Sequence, residues 1–134
     1  MIDIEADIFD ACAKAILAKY PDCFTTSEYV AAPASFPAVS IMEADNYTDT
    51  TRNDSGLGEN ASVIAYDVKV FSNLRHGAKA QAKDIAQIID GILQPLNFNR
   101  TYTNRIANPA KTSVFEISMR YVASVSKDGI ISRR

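Results

Sequence analysis

The sequence predicts an α+β domain, a mainly antiparallel sheet with two helices packed on one of its faces. Apolar residues step by three and four in two segments, 4–19 and 77–96, and by two in several others, the periods of a helix and of a half-buried strand. Helical and extended segments follow one another as helix, two strands, long loop, strand, helix, then two or three strands, which is not the strict alternation of a parallel α/β sheet. With 134 residues, 47% hydrophobic and 22% charged, the chain is expected to fold as one domain, 1–134, and to bury a core without disulfides or a metal.

Each element has its own signal. Ile4, Ile8, Phe9, Cys12, Ala15 and Ile16 line one side of a helix from about Ile4 to Lys19, with acids in its first half, Lys14 and Lys19 in its second, and Pro21 to stop it. "FTTSEYV" (24–30) and "FPAVSIMEAD" (36–45) read as two strands joined by a loop through "AAPAS". "NYTDTTRNDSGLGEN" (46–60) has almost nothing to bury and reads as a long flexible loop. In "ASVIAYDVKVFSN" (61–73), Ile64, Tyr66, Val68 and Val70 alternate with Asp67 and Lys69, so one face is expected in the core and the other in water.

The second helix, 77–96, carries Ala82, Ile85, Ile88, Ile89, Ile92 and Leu93 on one face and ends near Pro95. "NFNRTYTNR" (97–105) can form a strand, and "ANPA" then turns the chain. The last long strand is the clearest, Phe115, Ile117, Met119, Tyr121, Ala123 and Val125 alternating with Glu116, Ser118, Arg120 and Ser124. "KDG" (127–129) is turn chemistry, and "IISRR" returns as a short final strand.

Composition and motifs exclude more than they assign. The formal charge of −2 and a pI of about 5.3 supply no basic field for binding phosphates, and the two arginines of the terminal "SRR" do not change that. Asp3, Glu5, Asp7 and Asp10 stand where a secretory signal would need positive charge, and no stretch has the length and apolarity of a membrane span. The protein is therefore expected in a cytoplasm. Cys12 and Cys23 read as ordinary small buried residues, since two cysteines alone cannot complete a zinc site.

The lone His76 has no partner motif, "GLGEN" (56–60) lacks the third glycine and the strand-to-helix context of a phosphate loop, and no P-loop, G-x-S-x-G or H-E-x-x-H pattern occurs. Glu43, Asp45, Asp49, Asp54 and Glu59 read as solvated charge rather than a cation site. In the second helix, which opens with "AKAQAK" (78–83), Lys79 and Lys83 are mixed with Asp84 and Asp90, and these charges read as a solvated face. No enzymatic activity, cofactor or metal is expected.

Five segments, "FPAVSIMEADN" (36–46), "GEN" (58–60), "YDVKVFSN" (66–73), "NFNRT" (97–101) and "MRYVASVSKDGIISRR" (119–134), resemble in order the tail terminator, or tail completion, proteins of tailed bacteriophages and prophages. The likeness covers nearly the whole chain and rests on structural strings rather than on a catalytic signature. It implies a homo-oligomeric ring, usually of six subunits, that caps the head-proximal end of the tail tube, stops its polymerisation and docks to the head connector. Its partners would be further copies of itself, the tail tube protein and the connector or neck protein. DNA would pass through the hole unread, and the protein, made in the host cytoplasm, would reside at the head–tail junction of the virion.

On that reading the second face of the 61–73 strand meets a neighbouring subunit. Val63, Ala65 and Phe71, with Arg52, Asp54 and Glu59 from the loop, are the expected contact residues. Two alternatives stay open from the sequence. One is another neck or head-completion protein, which would share the ring but bind the portal side. The other is a dimeric ferredoxin-like domain that binds a small molecule between sheet and helix.

Overall fold

Strands with one strongly apolar face must find a cover for it, and here the helices supply it. The computed structural model describes residues 1–52, 60–106 and 113–134. Along the chain run α1 (Glu5–Lys19), β1 (Phe24–Thr26), β2 (Ala38–Thr48), a single 3-10 turn (Thr50–Arg52), β3 (Ala61–Ser72), α2 (Ala78–Leu93), β4 (Asn99–Ile106), β5 (Phe115–Ser126) and β6 (Ile131–Arg133). The six strands form one sheet in the order β1-β2-β3-β5-β4, with β6 also beside β5. Every pairing is antiparallel except that of β1 with β2.

The core lies between the helices and one face of this sheet. Ile8, Cys12 and Ile16 of α1 and Ala82, Ile85, Ala86, Ile89 and Leu93 of α2 pack with Ile64, Tyr66, Val68 and Val70 of β3 and with Ile117, Met119, Tyr121, Ala123 and Val125 of β5. Full burial of each large aliphatic side chain contributes about 1.5–3 kcal/mol, so this layer dominates stability. The two helices are tied to each other at their solvent-facing rim. There the Tyr20 hydroxyl donates to Asp84 at 2.5 Å and the Lys19 ammonium lies 2.7 Å from the same carboxylate.

Two local stops match the residues that make them. After α2 the chain turns at Asn97, whose φ of 70° is one that asparagine tolerates better than most residues, and the Phe98 amide bonds back to the Leu93 carbonyl. Between β5 and β6, Gly129 takes a φ of 83° in the expected 127–129 turn.

Three expectations need correction. The segment 24–30 is a strand only over Phe24–Thr26, and it pairs with β2 in parallel. Beyond Thr26 the chain leaves the ladder, and the Glu28 carbonyl is taken by the Ser40 hydroxyl at 2.7 Å.

The expected loop 46–60 begins as strand. Asn46, Tyr47 and Thr48 pair with Ile64, Val63 and Ser62, and the 3-10 turn comes directly after. Paired to β3, residues 46–48 give their backbone groups partners that a free loop would have to find in water.

The third correction concerns β3, which is not half in water. Val63, Ala65 and Phe71 are only 2%, 3% and 2% exposed, and every residue of the strand but Asp67 and Lys69 is buried. These three side chains do lie on the face away from the helical core, as their alternation with Ile64, Tyr66 and Val70 requires. That face, however, is closed within one chain, and its charges are paired. Arg120 grips Asp67 with two hydrogen bonds of 2.7 and 3.1 Å, while Lys69 lies 3.7 Å from Glu116 and 5.4 Å from the centre of the Tyr29 ring.

Candidate functional site

Two polar constellations stand out, one at the end of β2 and one across the middle of the sheet. The first is centred on Asp49, between β2 and the 3-10 turn, which is 3% exposed although it sits in a run of polar residues. One carboxylate oxygen accepts from the Thr51 hydroxyl at 2.6 Å and from the Thr51 amide at 3.2 Å, an Asx-type turn that starts the 3-10 helix. The other accepts from the Ser124 hydroxyl at 2.8 Å and from the Arg134 guanidinium at 3.3 Å. Arg52, whose amide bonds to the Asp49 carbonyl at 3.2 Å, reaches the same Ser124 hydroxyl at 2.8 Å.

One buried carboxylate thus pins the end of β2 to β5 and to the C-terminal residue. The Thr51 and Ser124 hydroxyl bonds hold its carboxyl below the usual carboxylate range, with Arg134 adding to the effect. The Thr51 and Ser124 hydroxyls both donate to Asp49, so the arrangement acts as a clasp.

The second constellation runs along one transverse line of the sheet. Glu43 on β2 pairs with Tyr66 on β3, Tyr66 with Tyr121 on β5, and Tyr121 with Arg100 on β4, so the four residues stand in one row on the helical face. The two tyrosines in the middle are fully buried, and each sends its hydroxyl toward a carboxylate at the flank. Tyr121 donates to Asp90 of α2 at 2.7 Å, and Tyr66 makes a long 3.4 Å contact with Glu43. Burial pushes both phenols well above their ordinary pKa.

The ends of the row are opposite in charge. On one flank Arg100 lies 3.5 Å from Asp90, in a shallow groove of about 200 Å³ lined by Lys83, Gln87, Thr103 and Met119. On the other, Glu43 is pushed up from its usual pKa, first by burial and then by Glu5 and Asp3 of the N-terminal segment.

The expected contact residues scatter among these features. Arg52 belongs to the Asp49 clasp, and its side chain is directed at Ser124 of its own chain. Val63, Ala65 and Phe71 are interior, as described above. Asp54 and Glu59 lie outside the described residues. His76 is exposed in the turn before α2, and Cys12 and Cys23 are buried and form no disulfide, burial pushing their thiols up to about 12 and about 11. Among the described residues no group of His, Cys, Asp or Glu is arranged to hold a metal ion, and no helix is long and apolar enough to cross a membrane.

Sequence reasoning placed Asp49 with four other acids as solvated charge. The Asp-x-Thr pattern of an Asx turn, beside a strand end, was the available signal for its burial. Glu43 and Arg100 could not have been joined from sequence, because the row they end depends on the register of four strands. No protein-family model matches the chain, and no curated protein matches it at a significant level.

Proposed function

We propose that this protein is a structural subunit of a phage or prophage neck, a tail terminator whose copies, six to a ring, cap the head-proximal end of a tail tube and join it to the head connector. The reading is supported chiefly by the resemblance of five segments, spread from residue 36 to the C-terminus, to that family. It also accords with the build of the fold: the helices cover one face of the sheet, β3 is buried on the other by packing and ion pairs of its own chain, and the outer strands are left for neighbours.

The role asks for no catalytic group. A net charge of −2 suits a ring through which DNA moves without being held, because tight phosphate contacts would retard it. Further copies of the chain, the tube protein and the connector are its partners on this reading, and the head–tail junction is its place.

Native mass spectrometry of the purified protein over a range of concentrations tests the proposal. A hexamer is expected, since closed rings arise when one surface of a subunit meets a different surface of the next. A protein that forms nothing above a dimer overturns it.

A further inference from the structure

The two lateral edges of the sheet differ in a way that fits them to each other. On one side β4 is the last strand, exposed along nearly its whole length, and no described strand pairs with its outer edge. On the other side β1 covers β2 only at Ala38–Ser40, so the outer edge of β2 from Ile41 onward has no described strand beside it. Neither exposed run contains lysine or proline; each is guarded against unselective pairing by its charges and by one bulge.

Charge separates the two flanks. Residues 97–106 hold Arg100 and Arg105 and no acid, and Lys83 of α2 lines the same groove as Arg100, so the flank stays net positive although Asp90 of α2 lies 3.5 Å from Arg100. The β2 flank carries Glu43 and Asp45, and the N-terminal segment beside it contributes Asp3 and Glu5, held there in part by the Asn46 amide bonding to the Ile2 carbonyl at 2.7 Å. Exposed large side chains sit on both flanks too, Tyr47 on β2 at 54% and Tyr102 and Ile106 on β4 at 37% and 38%. By register with Val63 and with Arg120, Tyr47 and Tyr102 point to the same face of the sheet, away from the helices. Aromatic residues of this kind are enriched where proteins meet.

The geometry points to an edge-to-edge contact between copies of this chain, in which the outer edge of β4 pairs antiparallel with the outer edge of β2 of the next copy and Arg100 meets Glu43. The inference rests on the ring reading and specifies its interface. Strand direction is set by the topology. β2, β3, β5 and β4 alternate in direction across the sheet, so β4 runs opposite to β2, and rotation about an axis along the strands brings them together antiparallel.

Level is set by the row. Because Glu43 and Arg100 end the same transverse line, a sideways neighbour at equal height sets one against the other. Each edge also bulges beside this row, between Glu43 and Asp45 and between Arg100 and Tyr102. The shared ladder is therefore short, and charge rather than backbone pairing alone selects the partner. The contact joins two different surfaces and leaves both open on the outer copies, which makes a ring rather than a symmetric dimer.

A cysteine pair tests this without touching the charges. With Arg100 opposite Glu43, antiparallel pairing sets Asn99 opposite Ala44 of the neighbour. Within one chain these positions stand three strand spacings apart, about 14 Å, beyond the reach of a disulfide. Mild oxidation of the double variant Ala44→Cys/Asn99→Cys should give a ladder of covalent oligomers that ends at the ring size, seen on a non-reducing gel, whereas Ala44→Cys alone should give no band above a dimer. Circular dichroism checks that both variants fold. If the wild type assembles above the dimer and the double variant gives no ladder, the edge assignment is overturned and the ring reading stands. If the wild type gives nothing above a dimer, both fall.

Discussion

Asp49 shows how one side chain can hold three segments. Its carboxylate takes hydrogen bonds from Thr51, Ser124 and Arg134, while Arg52 closes over Ser124. Removing the acceptor leaves two hydroxyls and a guanidinium with partners to find, and buried hydrogen bonds to a charged group are each worth about 1.5–3 kcal/mol. Asp49→Ala should therefore lower the unfolding free energy by about 2 kcal/mol in urea denaturation.

The pH dependence has a definite sign. The carboxyl is held below its ordinary pKa in the folded chain, so its stabilisation is complete above the unfolded value of about 4 and is lost as pH falls through the folded one. The gap in stability between wild type and Asp49→Ala should narrow below about pH 4. A gap that stays constant from about pH 7 to about pH 3 would mean that the carboxylate's charge plays no part. Nothing in residue-type statistics separates this aspartate from its acidic neighbours, because its burial is set by Ser124, 75 positions away in the chain.

At the scale of elements, the helical faces and the core faces of β3 and β5 were legible because their periods are local. Ile8, Cys12 and Ile16, Ile85 and Ile89, and Ile64 to Val70 all lie where alternation or three- and four-residue stepping sets them. The second face of β3 was not legible, since its alternation reads the same whether water, a neighbouring subunit or the chain itself lies against it. Asp67 and Lys69 looked solvated for the same reason, their partners Arg120 and Glu116 standing on β5 in a register that the sequence does not carry.

The parallel β1 was hidden too, because two extended runs in succession most often form a hairpin. Phe71 distinguishes the readings of this face. As an interior residue, 2% exposed, it should cost about 3–5 kcal/mol when cut to alanine, and the loss should appear in dilute, unassembled protein and not vary with protein concentration. A side chain buried only by a neighbouring subunit would lose little in the monomer and show a loss that grows with assembly.

For the whole molecule, the sheet ends in two flanks of opposite net charge, Arg100, Arg105 and Lys83 against Asp90 on one and Glu43 and Asp45 beside Asp3 and Glu5 on the other. Glu43 carries the clearest sign of this. Its carboxyl is raised by burial and by the nearby Glu5 and Asp3, so ionising it costs the isolated fold stability. That cost is absent below the unfolded carboxylate pKa and fully present above the raised folded value. Glu43→Gln removes the charge while keeping an oxygen for the Tyr66 hydroxyl. It should leave the isolated chain as stable as the wild type or more so at about pH 7, and the difference should vanish toward about pH 3.

Assembly should respond in the opposite sense. Arg100 of the adjoining copy keeps its own Asp90 at 3.5 Å but loses the facing Glu43, and removal of one charge of an interfacial pair should weaken binding by about 1.4 kcal/mol or more, tenfold or greater in dissociation constant. Thermal denaturation at low concentration and native mass spectrometry across a dilution series read the two effects separately. A variant less stable as a monomer, or one whose oligomer persists to the same dilution as the wild type, would show that Glu43 serves the fold of its own chain and not the contact with the next.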